Sequence, residues 1–496
     1  MAWLPDWMHA GFLAQLALFV LHLLVAARAI TRPGRTPASR AAWVAVIMLM
    51  PLLGVVAYLL LGETSIGRER VRRLREVEAR MPRPEDAAAP IDGIDRCSVE
   101  LFALGRSING LRPVGGNRIE LLGAPGSTPD DPTADCNAAI ETLVADIAQA
   151  REQVHISFYI WLDDDNGGRV ADAVAAAARR GVRCRVMVDA LGSRAFTRSP
   201  RWAQLREAGA RVLATLDDVP RLGHLAVGRV DLRNHRKIVV IDNRIAYCGS
   251  QNCADPAFRV EARFAPWIDI LLRCEGPIVR QLQYIFLVSW IAETGEREAE
   301  GLPSAAPAPQ SFADGAVAQM FGTGPTTPWN AMSDMFVAGI YAARAELVVT
   351  TPYFVPDEAL LRALCAAPRR GVATTLVFPS RNNSRLVGGV CRSCYPDLLD
   401  SGVAVYEYPL GLLHTKSLTA DGEIALVGSA NMDRRSLQLN YENNLLVADR
   451  AVAAAIRRRQ QGYLSVSHPV APASVRAWPF GARLVRNAMG MLSPVL

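Results

Sequence analysis

At 496 residues the chain is too long for a single hydrophobic core. Half of it is hydrophobic and the mean hydropathy is +0.13, a balance that argues against a wholly soluble protein. Of the formal net charge of +6, residues 1–83 supply all, with eleven arginines against five acids. The remaining chain is neutral, which disfavours nucleic acid as a partner, since a domain that binds it needs a basic face.

Two uncharged runs open the chain, at residues 8–27 and 41–61. Each is about 20 residues, enough to cross the hydrocarbon core as a helix. Together they predict an α-helical transmembrane hairpin over 1–65. Pro51 and Gly54 interrupt the second run, an interruption that membrane helices tolerate. A signal peptide is the alternative for the first run, because Ala27-Arg28-Ala29 resembles a cleavage site. Arg28, Arg32, Arg35 and Arg40 lie in the connection, and seven arginines from Arg68 to Arg83 follow it. The larger cluster sets the expected orientation, with the bulk of the chain in the cytoplasm. Residues 66–95 read as a juxtamembrane basic segment and linker. The arginines there suit either anionic headgroups or a solvated helix of i,i+4 pairs.

Pro-rich, Ala-rich stretches at 82–92 and 299–311 read as linkers, and between and after them the chain repeats itself. Val154-His-Ile-Ser-Phe-Tyr-Ile and Leu347-Val-Val-Thr-Thr-Pro-Tyr-Phe read as matched buried strands. An Ala/Leu-rich helix follows each and ends in Arg-Arg-Gly-Val at 179–182 and 369–372, where Gly suits the helix terminus. An apolar strand comes next in each copy, then a second helix ending near Gly209 and Gly402. The alternation predicts two α/β domains with mixed sheets, at 96–298 and 316–496 with a linker at 299–315, related by a pseudo-twofold.

The chain holds only two lysines, Lys237 and Lys416, while the other cations are arginine. They fall in matched segments, His235-Arg-Lys237-x4-Asp242 and His414-Thr-Lys416-x4-Asp421. The histidines are 179 residues apart. The same offset relates Gly249-Ser250-Gln251-Asn252 to Gly428-Ser429-Ala430-Asn431. Lysine offers a compact point charge where arginine offers a planar fork. On a strand, His-x-Lys sends both side chains to one face. Two such segments facing each other would surround one phosphodiester with two imidazoles and two ammonium groups. Ser250, Ser429, Asn252 and Asn431 would add donors to the phosphate. Asp242 and Asp421 complete the segments as candidate catalytic residues, although their Asp-Asn-Arg and Asp-Gly-Glu contexts also suit hairpin caps. Fixed cations supply the charge, so no metal and no cofactor is expected.

The other histidines, His9, His22, His155, His224 and His468, read as structural. Nine cysteines are odd in number and scattered, which fits a reducing compartment rather than a disulfide framework. Cys391-x2-Cys394 lacks the second pair that a zinc site needs.

The duplicated His-x-Lys-x4-Asp followed by Gly-Ser-x-Asn resembles the phospholipase D superfamily, and within it the bacterial cardiolipin synthases. The likeness covers nearly the whole chain. It includes Met50-Pro51-Leu-Leu-Gly54, Tyr58-Leu-Leu-Leu-Gly62, Val427-Gly-Ser-Ala-Asn-Met-Asp-Arg-Arg-Ser436 and the closing Leu492-Ser-Pro-Val-Leu496. The resemblance implies two phospholipase D-like domains and a multi-pass protein of the bacterial inner membrane. It implies that two phosphatidylglycerol molecules become cardiolipin and glycerol, with anionic membrane lipids as partners. His235 would form the phosphatidyl-histidine intermediate, and His414 would serve the leaving and entering hydroxyls. That division of labour needs His235 neutral and His414 protonated at the outset, so their pKa values should be split. Lys237, Lys416, Asn252 and Asn431 would hold the phosphate. Glu442 stands where the superfamily places a carboxylate that orients a histidine, and Asp269 stands in a less matched position in the first half. Gln251 departs from the paired glycines of the family. A phospholipid hydrolase and a membrane-tethered, metal-independent nuclease are the alternatives from other classes.

Overall fold

The computed structural model describes residues 6–62, 67–84, 94–128, 131, 133–219, 231–296, 310–491 and 493. Most of the two expected linkers, His224 and nearly all of the closing segment 492–496 lie outside the described residues. The chain forms two compact units, one of residues 1–71, 218–232 and 491–496, the other of residues 72–217 and 233–490.

In the first unit, α1 (Asp6–Thr31) is followed by α2 (Pro37–Leu49) and α3 (Leu53–Ala57), with a π-helical turn at Tyr58–Gly62. Among the described residues one helix, Phe12–Thr31, is long and apolar enough to cross a membrane. The second crossing expected over 41–61 does not form as one helix. Pro51 has no N–H to continue the ladder of α2, and Leu52 takes φ +61° before α3 restarts. The hairpin of two full spans is therefore corrected to one helix long enough to cross and two short apolar helices. Trp43, Ile47 and Tyr58 bury against Val25 and Ala29 of α1. Gly54 permits the tight fold-back, because a Cβ there would clash with the Val46 carbonyl oxygen. The helix α4 (Arg68–Arg80), which belongs to the second unit from Arg72 onward, carries most of the arginine-rich segment.

The second unit holds the duplicated halves. The first supplies β1 (Val114–Leu121), β2 (Gln153–Phe158), β3 (Arg183–Asp189), β4 (Arg211–Thr215), β5 (Ile238–Ile241), β6 (Ile245–Gly249), β7 (Trp267–Ile268) and β8 (Leu271–Glu275). The second supplies β9 (Ala316–Thr323), β10 (Glu346–Thr350), β11 (Ala373–Pro379), β12 (Ala404–Tyr408), β13 (Leu412–Leu413), β14 (Ser417–Ala420), β15 (Ile424–Gly428), β16 (Glu442–Ala448) and β17 (His468–Pro469). Instead of one sheet per half, fifteen of the described strands make one sheet ordered β17-β12-β11-β10-β14-β15-β16-β9-β1-β8-β6-β5-β2-β3-β4, and β13 and β7 form a separate two-stranded sheet. Apart from β17, the order reads as a palindrome about the antiparallel β1–β9 contact. In each half three parallel strands, β2-β3-β4 or β10-β11-β12, continue into antiparallel ones. This is the mixed sheet and pseudo-twofold that the repeat predicts.

Local chemistry sets the repeated helices. Asp164 and Asp357 cap them by accepting from Gly167 N and Leu360 N at 2.9 Å each. Gly181 and Gly371 end them at φ +90° and +85°. Val182 N and Val372 N close on the carbonyls of Ala177 and Ala367, the pairing that leaves only glycine comfortable at the terminus. The helix α5 (Arg96–Asn109) belongs by chain order to the first half, yet Leu101, Phe102 and Ile108 bury in the core of the second. Gln319 of β9 holds it by donating to the carbonyls of Phe102 and Leu111.

Candidate active site

The His-x-Lys segments lead directly into β5 and β14. Lys237 Nζ donates back to the His235 carbonyl at 2.8 Å, and Lys416 Nζ to the His414 carbonyl. Each histidine segment then pairs with a strand from the other half. β13 runs parallel to β7 with Leu413 opposite Ile268, and Asn234 bridges Tyr441 in the same sense. His414 N donates to Ile268 O at 2.8 Å and His235 N to Tyr441 O at 2.9 Å. In both pairs the next residue along is a histidine on one side and a carboxylate on the other.

The carboxylates are thereby exchanged between halves. His235 Nδ1 lies 2.9 Å from Glu442 Oε2 and 3.0 Å from the Ser429 carbonyl. His414 Nδ1 lies 2.8 and 3.0 Å from the two oxygens of Asp269. Sequence spacing sets Glu442 in the same half as His414, 28 residues after it. The structure gives it to His235 instead, and gives the less matched Asp269 to His414. Spacing offers no signal for this exchange, which depends on how the halves dock.

All six groups are at most 6 % exposed, so charge balance is decided within the pocket. Burial, with the lysines adding to it, lowers His235 to about 4 and His414 to about 3 against the pull of their carboxylates. Burial also lowers Lys237 to about 8 and Lys416 to about 7. Burial opposes ionisation of Glu442, but His235 and Lys237 outweigh it and hold the carboxyl at about 2. Asp269 is lowered likewise: burial raises it, and His414 and Lys416 more than compensate. The charge of Lys416 acts on His235 and that of Lys237 on His414, so the two copies of the motif share one electrostatic pocket. Two carboxylates face two lysines, and burial favours the neutral form of both imidazoles. The expected split of the two histidines is therefore not seen. The pseudo-twofold gives each ring the same surroundings, and burial moves both in one direction. An ionised carboxylate at Nδ1 requires that nitrogen to donate, which leaves the lone pair of each ring on Nε2.

The remaining candidates divide. Ser250 Oγ donates to Asp269 at 2.5 Å and Ser429 Oγ donates to Glu442. Both serines, expected on the phosphate, brace the carboxylates instead. Ser436, which sequence did not single out, donates to the other Glu442 oxygen at 2.8 Å. Asn252 accepts from Ile160 N at 3.3 Å. Asn431 is buried; its Nδ2 donates to Ser436 Oγ at 3.4 Å, and its side-chain oxygen has no partner among the described residues. Asp242 and Asp421 sit past the far ends of β5 and β14, at φ +51° and +53°. Each carboxylate accepts three backbone N–H groups, from residues 151–153 and 344–346. The structure places them as caps of the turns and does not bring them to the histidines.

Aromatic rings close the pocket. Tyr159 lies 4.7 Å from the His235 ring, and Trp267 lies 4.8 Å from that of His414, centroid to centroid. Tyr353 stands edge-on to His414 at 6.3 Å. Tyr159 and Tyr353 close the duplicated strand segments, so the repeat could have marked them. His155 is buried between Gln283 and Arg185 and plays a structural part. Cys394 is turned to the Val390 carbonyl within its own helix region, and among the described residues no group of three or more potential ligands gathers for a metal.

Comparison with known proteins follows the same lines. A family model described as a cardiolipin synthase, PLD-like domain matches residues 143–279 and 336–462. One described as phospholipase D-nuclease N-terminal matches residues 20–63. The chain is 37 % identical over 495 residues to cardiolipin synthase A of Cronobacter sakazakii, covering 98 % of this chain and 97 % of that protein. Over 489 residues it is 37 % identical to cardiolipin synthase A of Edwardsiella ictaluri, covering 97 % and 98 %. Among solved structures, phosphatidylserine synthase of Haemophilus influenzae matches with a TM-score of 0.57 at 11 % identity, over 80 % of this chain and 100 % of that one. That last likeness is one of fold.

Proposed function

The chain belongs to the PLD-like cardiolipin synthase family of phospholipid-synthesising enzymes, and from that premise we propose that it joins two phosphatidylglycerol molecules into cardiolipin and releases glycerol. The observation that carries this reading is the exchange of Glu442 and Asp269, which fixes two neutral imidazoles and two lysines around one pocket.

His235 Nε2 attacks the phosphorus of the first phosphatidylglycerol. The P–N bond forms as the bond to the glycerol oxygen breaks, and that oxygen takes a proton from His414 Nε2. A hydroxyl of the second phosphatidylglycerol then gives its proton back to His414. Its oxygen attacks phosphorus, the P–N bond breaks, and His235 is restored. An entering phosphodiester anion adds one negative charge to a pocket of two carboxylates and two lysines. That charge favours uptake of one proton, which His414 needs, and keeps Lys416 and Lys237 ionised. The lysines and Asn431 hold the phosphoryl oxygens as charge develops on them. Glu442 and Asp269 stabilise each imidazole when it turns cationic. A nuclease reading lacks the basic face that nucleic acid needs, since residues 84–496 carry no net charge.

The apolar α1 spans the membrane in this reading, and the arginines of residues 68–83 keep the catalytic unit on the cytoplasmic side. Purified full-length protein in phosphatidylglycerol vesicles should yield cardiolipin and glycerol in equal amounts. Phosphatidic acid as the sole lipid product would show that water, not a lipid hydroxyl, reaches the intermediate.

A further inference from the structure

Between the catalytic His235 and Lys237, Arg236 points to the opposite face, as strand alternation requires. Its guanidinium donates to the Glu442 carbonyl at 3.2 Å and to Ser289 Oγ at 2.5 Å. Both partners are neutral. Arg236 is half-buried, and a cation drawn out of water is costly to keep unless an anion compensates it. Among the described residues no carboxylate stands within ion-pair distance of Arg236.

This guanidinium lines a cavity of about 300 Å³, shared with Arg83, Arg106, Glu78, Tyr284 and Thr327. The volume is at the low end for ligand clefts, roughly 300–1,000 Å³. Three guanidiniums thus meet one carboxylate, Glu78, whose pKa burial raises while Arg236 and Arg83 pull it down. Arg106 is exposed and has no ion-pair partner among the described residues. Arg83 packs against Gly110, where a Cβ would meet its guanidinium carbon at 2.8 Å. The cavity is therefore positive, shaped and separate from the pocket of the two histidines.

We propose that this cavity is a second anion site, which takes a phosphate-bearing headgroup of glycerophosphate size between Arg83, Arg106 and Arg236. Planar guanidiniums suit such a group because each presents two parallel N–H donors to phosphate oxygens. The same chemistry would serve a lipid headgroup or a soluble phosphate ester.

The test is calorimetric titration of the full-length protein in detergent. Inorganic phosphate and sn-glycerol 3-phosphate form the soluble arm, and phosphatidylglycerol in mixed micelles forms the lipid arm. Lys416→Met removes a cation from the catalytic pocket and is expected to leave this binding intact. Arg106→Gln in that background should weaken it roughly tenfold or more, while Arg106→Lys restores part of it. Thermal melts confirm that each variant is folded, and Arg83→Gln provides a second route should one variant fail. Stronger binding in one arm identifies the source of the ligand and supports the site. Absence of binding in both arms, loss of all binding with Lys416→Met, or wild-type binding by both Arg106→Gln and Arg83→Gln would overturn it.

Discussion

Glu442 Oε2 and His235 Nδ1 lie 2.9 Å apart across 207 residues of chain. Asp269 and His414 repeat the contact across 145 residues. Neither half holds a complete histidine–carboxylate pair, so each depends on the other for the tautomer and orientation of its imidazole.

Replacing Glu442 with Gln should keep the shape and remove the charge that stabilises imidazolium. By analogy with other carboxylate–histidine pairs the loss in kcat should reach about 10²–10⁴-fold, with KM little changed. Asp269→Asn should match it if the two pairs are equivalent. Steady-state kinetics on phosphatidylglycerol check both, and a loss confined to KM would contradict the positioning role.

His235→Ala and His414→Ala should each lower turnover by several orders of magnitude, and the double variant should be barely worse than either, because the two act as a unit. His414→Ala slows both steps, and whatever phosphatidyl-histidine forms in it should stay trapped. Phosphorus NMR or mass spectrometry of the quenched enzyme would detect it on His235; label on residue 414 in a His235→Ala protein would reverse the assignment.

Stability of the ligand-free protein should climb with pH in two windows. Folded His235 and His414 titrate near 4 and 3, below the ordinary 6.5. Between those values the unfolded chain holds more protons, so folding gains as pH rises to 6.5 and is lost in acid. Lys416 titrates near 7 when folded against an ordinary 10.5. The unfolded chain again holds the extra proton, so stability rises from about pH 7 toward 10. Lys416→Met should shrink the second window to the part above about pH 8 that Lys237 supplies. A wild-type curve that falls with pH across both windows would contradict the burial of these groups.

Asp242→Ala and Asp421→Ala should destabilise the fold by roughly 1–3 kcal/mol, the cost of leaving backbone donors unsatisfied. The folded fraction should keep near wild-type kcat. Denaturant unfolding beside activity separates the two; a large loss of kcat in fully folded protein would return these aspartates to the chemistry.

Ser429→Ala should lower kcat by roughly tenfold and leave KM nearly unchanged, because its hydroxyl braces Glu442 and not the phosphate. A rise in KM with kcat intact would restore the phosphate-binding expectation.

Much of this was legible in the chain. Two lysines in matched frames, repeated strand and helix segments, and Gly181 and Gly371 at equivalent helix ends disclosed the duplication. They rest on local rules: alternation along a strand, capping, and the φ that glycine allows. The run over 41–61 misled because composition alone reports apolar length, whereas the break at Pro51 and Leu52 depends on backbone geometry.

The sequence by itself determined which residues are the candidates for chemistry, since His-x-Lys and its twin are local patterns whose side chains must share a face. Only the tertiary structure decided which carboxylate lies against which histidine, that Ser250 and Ser429 brace those carboxylates, and that burial lowers both imidazoles. Pairing between distant strands and the loss of water around a charge are properties of the packed whole, and no spacing along the chain encodes them separately.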